Sequence, residues 1–344
     1  MSSELFMLLG DIEREKGISR EVVLEALDNA LASAYRKNYG ATQDVGVKIN
    51  QETGEIKVFA KKTVVEDVEE PDDQILLADA QAISEKYKLG DVVEFEVTPD
   101  TFGRIAAQTA RQVVLQRIRE AEREKMFDEF SGKQNDIVNA SITKIERRNV
   151  MLELENTESI LAPNEQVAAD KYTVGGKYKV YVVEVLNSVR GPHMVVSRSH
   201  PGLVRRLFEL EVPEIAEGII EIKALSREPG SRSKMAVYSN DPNIDPVGTC
   251  IGVRGGRVQS VISELRGEKI DIVRYSDDPA EYIKNALSPA SVVDITINEE
   301  LKECKAIVPH DQLSLAIGRE GQNVRLAARL MGWKIDISSD QSIG

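Results

Sequence analysis

Cysteine, tryptophan and histidine are scarce in this 344-residue chain, which holds two, one and three of them respectively. Cys250 and Cys304 are too few for a disulfide framework or a zinc cluster and are expected to be buried free thiols. His193, His200 and His310 are too scattered for a metal site or a catalytic pair. No segment approaches the roughly 20 apolar residues of a membrane span. The first residues, with Glu4 and Asp11 among them, lack the basic and apolar run of an export leader, so a cytoplasmic protein without a membrane partner is expected. No GxxxxGKS/T run exists to form a nucleotide-hydrolysing loop, and no spacing of carboxylates isolates an acid/base pair. The sequence therefore predicts no catalytic residue, no metal, no cofactor and no enzymatic activity.

What is present is a globular composition, 42% apolar with 5% aromatic, in a chain long enough for two to four domains. The net charge of −13 at first argues against nucleic acid, but it is unevenly spread. Residues 1–131 carry 27 acidic and 17 basic side chains, residues 132–200 carry 8 and 9, and residues 201–344 carry 22 and 18. Two short stretches reverse the balance: Cys250 to Ile270 has four basic and two acidic residues, and Leu313 to Lys334 has four and one. An acidic front and local basic patches imply two kinds of partner.

Both basic stretches open on a glycine turn. Gly252-Val253-Arg254-Gly255 is followed by Gly256 and Arg257, and then by Val258, Val261, Ile262 and Leu265 at the i, i+3, i+4, i+7 spacing of a buried helical stripe. Gly318-Arg319-Glu320-Gly321 is followed by Gln322, Asn323 and Arg325, with Val324, Ala327, Ala328 and Met331 repeating the stripe. Lys269-Ile270-Asp271-Ile272 then has its echo in Lys334-Ile335-Asp336-Ile337. Glycines allow a second backbone to come close, and the N–H groups at a helix start attract anions, so a phosphodiester is the natural ligand. A duplicated, strand-ended GxxG unit resembles a tandem pair of KH domains, whose GxxG loop clamps about four nucleotides of nucleic-acid backbone.

Upstream, Val22, Val23, Ala26, Leu27, Ala30, Leu31, Ala34 and Tyr35 predict a helix with Ser19 as N-cap and Gly40 as its end, after a shorter helix. Strands are expected at Val45 to Asn50, Glu55 to Ala60, Lys62 to Val68 and Asp91 to Val97, with a turn near Thr53-Gly54 and a helix from Ala78 to Tyr87. A long helix follows from Arg104 to about Phe130. Ile105, Val114, Ile118 and Ala121 form its packing side, and Glu122 to Lys125 is a charged connector. The acidic run Glu66 to Asp73 is either a solvated loop or a surface for a basic partner.

Ser131-Gly132 opens a region of five short strands, Asp136 to Ile145, Asn149 to Leu154, Ser159 to Leu161, Lys177 to Leu186 and His193 to Ser197, with a turn at Arg190-Gly191. The spacing suits a five-stranded OB barrel and resembles the ribosomal S-one type. The usual aromatic stacking platform is replaced by Val150, Leu152, Leu154 and Ile160, leaving Tyr172, Tyr178, Tyr181 and His193 as possible platforms or as packing residues. The junction His200-Pro201-Gly202 implies stiff docking. Beyond it, Val204 to Ala216, Ile219 to Arg227, Lys234 to Tyr238, Pro246 to Ile251, residues 256–266 and Lys269 to Tyr275 read as α, β, β, α, GxxG, α, β. Pro279 to Leu287, Val292 to Asn298, Glu303 to Val308, Asp311 to Ile317, Asn323 to Met331 and Lys334 to Ser338 repeat it, the order of the bacterial kind of KH domain. Only Ser276 to Asp278 separates the two, so their grooves are expected to form one extended surface.

An N-terminal α/β domain, an S-one-type OB barrel and two KH domains resemble the NusA family of bacterial transcription elongation factors over the whole chain. The specific stretches are Phe102 to Glu124, Arg190 to Pro201, Cys250 to Leu265 and Ala316 to Ile337. The expected fold is multidomain α+β: residues 1–131 a polymerase-binding domain with connector helix, 132–200 the OB domain, 201–276 the first KH domain and 277–344 the second. The resemblance implies a monomer that binds RNA polymerase, nascent single-stranded RNA including ribosomal RNA leader transcripts, and other Nus-type elongation factors. Such a factor modulates pausing, intrinsic termination and antitermination. The expected RNA-binding residues are Gly252 to Arg257, Lys269 to Ile272, Gly318 to Asn323, Arg325, and Lys334 to Asp336. In this reading Arg254, Arg257, Arg319 and Arg325 supply charge, the isoleucines form a wall for bases, and Glu320 weakens the second loop. The alternatives are an RNA-processing enzyme subunit, for which residues 1–131 offer no cluster of metal-binding carboxylates, and a ribosome-associated RNA-binding protein without polymerase contact.

Overall fold

The computed structural model describes residues 13–14, 19–40, 43–50, 55–155, 157–188 and 191–340, in two compact units, Met1–Met126 and Phe127–Gly344. Of the short helix expected before Ser19 only Glu13 and Arg14, both helical, are among the described residues; the turn near Thr53-Gly54 and Arg190 lie outside them.

In the first unit, helix α1 (Arg20–Tyr39) buries Val23, Leu27, Leu31, Ala32 and Tyr35 and ends on left-handed Gly40 at φ 63°. Ser19 stands at the N-cap, but its hydroxyl bonds Glu21 and caps no backbone N–H. Strands β1 (Val45–Ile49), β2 (Ile56–Val65), β3 (Gln74–Leu76) and β4 (Val92–Glu96) form one sheet. β2 is a single strand where two, Glu55 to Ala60 and Lys62 to Val68, are expected from the sequence. It stays extended because it changes partners, from β1 to β4 and then to β3, without losing its hydrogen-bonded neighbours. Helix α2 (Leu77–Ile83) precedes β4. Helix α3 (Phe102–Ser131) places Phe102, Ala106, Ala110 and Val114 in one buried seam. Phe102 and Ala106 share a core with Leu31 and Tyr35, and Ala110 and Val114 with Val23 and Leu27, so the two helices run antiparallel with alanines at the contact. Of the stripe expected on this helix, only Val114 is fully buried.

The second unit begins with β5 (Ile137–Glu146), β6 (Asn149–Leu154), β7 (Thr157–Leu161), β8 (Lys177–Ser188) and β9 (Gly191–Ser197), an antiparallel sheet in the order β7-β6-β5-β8-β9. Its two edge strands meet: the buried Ser159 Oγ on β7 donates to the Met194 carbonyl on β9 at 2.6 Å, so the sheet is nearly closed. Val150, Leu152 and Leu154 lie in its core. They are therefore not the counterparts of an exposed platform, because strand alternation turns Asn149, Met151 and Glu153 outward instead. The tyrosines fasten the fold. Tyr178 Oη donates to the Asp170 carbonyl at 2.8 Å, Tyr172 Oη to Asp170 Oδ2 at 2.9 Å and Tyr181 Oη to Asn135 Oδ1 at 3.1 Å, while the Tyr181 ring stacks on His200.

Two repeated units follow. The first has α4 (Pro201–Glu211), α5 (Pro213–Ala216), β10 (Ile220–Glu228), β11 (Arg232–Ser239), α6 (Pro246–Ile251), α7 (Gly256–Glu264) and β12 (Lys269–Arg274). The single helix expected over Val204 to Ala216 is broken because a residue before proline is pushed out of the helical region, and Val212 is extended before Pro213. The second unit has α8 (Pro279–Ala286), β13 (Asp294–Asn298), β14 (Glu303–Val308), α9 (Leu313–Ile317), α10 (Gln322–Met331) and β15 (Lys334–Ser339). Each sheet pairs its first two strands antiparallel and its last two parallel.

The first unit's sheet is covered on both faces. Ile220, Ile222, Met235 and Val237 face its own helices. Ala236 and Val273 face Tyr282, Ile283, Ala286, Leu287, Ala327 and Leu330 of the second unit. The fully buried Lys234 crosses this seam, its Nζ donating to the Ser288 carbonyl at 2.7 Å and lying 3.1 Å from Asp271. Burial pushes its pKa down against the opposing pull of Asp271.

A second fastening joins the five-stranded sheet to the first unit. Arg198, 1% exposed, grips Asp170 bidentately at 2.8 Å through Nε and Nη2, and also donates to the carbonyls of Lys179 and Glu264 at 2.7 and 3.1 Å. Arg227 is likewise buried on Glu268 at 2.9 Å and donates to the His200 carbonyl at 2.8 Å. These contacts agree with the stiff junction read from the sequence. Removing one partner of a buried ion pair leaves the other charged and unsolvated. Arg198→Ala is therefore expected to destabilise the second unit by about 3–5 kcal/mol, seen as a lowered urea midpoint; an unshifted midpoint would mean that Asp170 finds another donor.

Candidate nucleic-acid interface

The two glycine loops have one backbone conformation. Gly252 lies at φ 75°, ψ 175°, Arg254 at 53°, 28° and Gly255 at 77°, 14°. Gly318 lies at 77°, 172°, Glu320 at 53°, 28° and Gly321 at 75°, 15°. Positive φ with ψ near 180° is a region that essentially only glycine enters, which is why the first position of each loop is glycine. The second glycine of each loop closes it, its N–H donating to the carbonyl of the first, at 3.0 Å in one and 3.2 Å in the other. Left-handed Arg254 and Glu320 then reverse the chain into the first turn of α7 or α10.

This turn lifts two residues of each loop into solvent. Val253 is 88% exposed, and the side chains of Arg319 and Glu320 are 92% and 82% exposed. Arg254 is exposed and makes no hydrogen bond or ion pair among the described residues. The nearest carboxylate to Arg319 is its neighbour Glu320, at 3.7 Å. Behind each tip, the helix start carries backbone N–H groups without helical partners, which favour an anion.

The fifth residue after the first glycine seats each loop. Arg257 lies over Gly252, where an added Cβ would come 2.8 Å from its Cγ. Its Nη1 donates to the Thr249 carbonyl at 2.9 Å and to Glu214 at 3.0 Å. Asn323, fully buried, holds Gly318 in the same way: an added Cβ would lie 2.7 Å from its backbone N. Its Nδ2 donates to the carbonyls of Ala316 and Leu287 at 3.0 and 3.1 Å. Arg257 and Asn323 are thus positioning residues. Arg325 is also engaged: its Nε donates to Glu228 at 2.6 Å and its Nη1 to the Glu320 carbonyl at 3.1 Å. Gln322 bridges from the second loop to Glu228 and Ser231 at 2.8 and 2.7 Å.

The structure gathers Gly252 to Arg257 in one place and Gly318 to Arg325 in another, and places the strand residues on β12 and β15. Ile335 is buried in the core of its own unit, and Ile270 and Ile272 lie half-buried against the core of theirs. Period-two alternation accounts for this, since it sends Asp271 and Asp336 to the opposite face. There Asp271 accepts from Arg232 at 2.8 and 3.0 Å, whereas Asp336 is exposed. Lys269 and Lys334 follow the far ends of α7 and α10, and Lys334 pairs with Glu303 at 3.1 Å. Both cysteines are buried free thiols, and burial pushes Cys250 up to about 12 and Cys304 up to about 11. Glu214 and Glu228 were not legible as site residues, because each comes from a distant stretch of chain and carries no motif.

Comparison with known proteins agrees with this architecture. The model of the NusA N-terminal domain matches residues 4–124, that of the NusA-like first KH domain residues 198–275, and that of the NusA-like second KH domain residues 279–343. The transcription termination/antitermination protein NusA of Bacillus subtilis is 51% identical over 340 residues, 99% of this chain and 92% of that protein. The protein of the same name from Halalkalibacterium halodurans is 50% identical, covering 99% of this chain and 89% of its own. That of Thermus thermophilus is 43% identical, covering 97% and 89%.

The loop geometry ranks glycine substitutions. Gly318→Ala is expected to cost most, about 3 kcal/mol, because the added methyl meets the Asn323 backbone. Gly252→Ala should cost less, since the Arg257 side chain that it meets can shift, and Gly255→Ala, with open space around it, about 1 kcal/mol. Urea unfolding of the three variants checks the order; equal losses for Gly318→Ala and Gly252→Ala, whose dihedrals match, would show that the atoms packed over the glycine do not set the cost.

Proposed function

Because this chain belongs to the NusA family of transcription termination/antitermination proteins, we propose that its two GxxG loops hold the sugar-phosphate backbone of nascent single-stranded RNA while its N-terminal domain binds RNA polymerase. The observation that carries the RNA reading is the pair of loops with matching dihedrals, each presenting a solvent-exposed tip in front of a helix start. Gly252 to Gly256 and Gly318 to Gln322 approach the backbone, with Arg254 and Arg319 supplying charge and Arg257 and Asn323 seating the loops. In this reading residues 1–131 form the polymerase-binding domain with its connector helix, 132–200 an OB barrel, and 201–276 and 277–344 the two KH domains. The nearly closed sheet with Ser159 bonded to Met194 supports the barrel. The exposed acids of the run from Glu66 to Asp72 support a basic protein partner for the N-terminal domain.

The factor acts in this proposal as a cytoplasmic monomer without enzymatic activity. It slows or redirects elongation by contacting polymerase and emerging RNA together. Ribosomal RNA leader transcripts and other Nus-type elongation factors are its further partners. Of the candidate stacking residues Tyr178 and Tyr181 are buried, which leaves half-buried Tyr172 and His193, with polar and aliphatic surface, for an OB contribution to RNA binding.

Paired aspartates at the tips test the RNA reading. Val253→Asp with Arg254→Asp, and Arg319→Asp with Glu320→Asp, alter exposed side chains and should leave the circular dichroism spectrum unchanged. Each pair is expected to weaken binding of a short single-stranded RNA roughly tenfold at low salt; unchanged affinity in the folded variants would move the RNA site elsewhere. For the polymerase reading, core polymerase should be retained by residues 1–131 alone, and its failure to bind would reassign that domain.

A further inference from the structure

Glu228 ends β10 of the first KH domain, yet its carboxylate lies at the loop of the second. Oε1 accepts from Arg325 Nε at 2.6 Å, with Arg329 Nη1 at 3.7 Å, and Oε2 accepts from Gln322 Nε2 at 2.8 Å. Gln322 is the first residue of α10, directly after Gly321, and Arg325 also reaches the Glu320 carbonyl. A negative group therefore sits between a glutamine amide and two guanidinium groups at the mouth of a GxxG loop. These donors would equally suit a phosphate oxygen.

The pair is built to exchange. The Arg325 side chain is 43% exposed and that of Arg329 56%, and the Glu228 carboxylate itself is 21% exposed. An ion pair this open to water is weak and screened by salt. Arg257 and Arg325 each also donate to a backbone carbonyl, but Arg257 packs over Gly252, where an added Cβ would come 2.8 Å from its Cγ, so it cannot leave without unseating the loop. Arg325 packs more loosely on its loop, since an added Cβ at Gly321 would lie 4.0 Å from its Nη1.

We propose that Glu228 is an internal phosphate mimic. It holds Arg325 and Gln322 in the RNA-free protein, and a phosphate of bound RNA displaces it, so that Glu228 sets how much charge the second loop offers. The inference rests on the RNA reading of that loop. It makes Glu228, a residue of the first KH domain, a determinant of affinity at the second.

The test is binding of a ten-nucleotide single-stranded RNA to the full chain and to Glu228→Gln, by fluorescence anisotropy across a salt series. Glu228→Gln should bind about 2- to 5-fold tighter at low salt, with the slope of log affinity against log salt steeper by about 0.7, one more phosphate neutralised. Arg325→Gln should weaken binding and abolish the gain when combined with Glu228→Gln. An unchanged or lower affinity for folded Glu228→Gln would make Glu228 a structural link only. A gain that persists beside Arg325→Gln would reduce the effect to net charge, and either outcome overturns the proposal. If the paired aspartates at Arg319 and Glu320 leave RNA binding intact, the reading of the loop fails instead; if they weaken it while Glu228→Gln is silent, only this inference fails.

Discussion

The sheet of the first KH domain has no face open to water, and most of the second unit follows from that constraint. One face carries the domain's own core, and the other takes the helices of the second KH domain through Ala236 and Val273. Small side chains on the docked face let α8 and α10 come close, and α10 is the helix that starts at the second glycine loop. The position of that loop is thus set by packing against the neighbouring domain as well as by its own. A free tether between the domains would leave this apolar face exposed, and the three-residue connection at Ser276 to Asp278 leaves no slack for it.

The seams are sealed with charge. Arg198 with Asp170, Arg227 with Glu268 and Lys234 with Asp271 are largely dehydrated, and dehydration can cancel much of the attraction between two ions. Their geometric demands matter more here than their net energy. A bidentate guanidinium accepts one placement of its carboxylate, so Arg198 fixes the angle between the five-stranded sheet and α7, where Glu264 contributes a carbonyl. In Lys234 the amine finds a carbonyl of the second domain and a carboxylate of the first, so it is satisfied only when both are docked.

Much of the fold was legible because its signals are local. Pro246 to Ile251 and Glu303 to Val308 follow from a proline start and from period-two alternation, and the GxxG turns follow from glycine's access to positive φ. Two misread features concern breaks in the chain, present at Pro213 and absent within β2, and the rest depend on which face meets what. Lys-Ile-Asp-Ile occurs twice with the same alternation, and both copies send isoleucine to the core, yet Asp271 is locked by Arg232 and Lys234 while Asp336 is solvated. The four letters are identical, and the difference lies in the neighbouring strand, where Arg232 and buried Lys234 stand beside Asp271 but Glu303 and exposed Lys305 take the equivalent places beside Asp336. On β6 the register of inward and outward residues is displaced by one position from the expected one, which exchanges Val150, Leu152 and Leu154 for surface residues, whereas Ile160 on β7 is exposed. The chain-distant partners Glu214 and Glu228 had no sequence signal at all.

The two loops share a backbone and differ in how their cations are held. At the first, Arg254 projects unpaired among the described residues, while Arg257 is bound into the loop's foundation. At the second, Glu320 takes the place of Arg254, Arg319 stands beside it, and Arg325 reaches across to the first domain. Acidic Glu320 does not disturb the turn, since its side chain leaves the loop and its carbonyl serves Arg325. On the proposed RNA reading, the first loop offers a fixed positive tip and the second relies on backbone N–H groups plus cations held by carboxylates. A clamp of matching shape but unequal charge would hold RNA firmly at one end and exchange it more readily at the other, a division suited to a transcript that must keep moving as it is held.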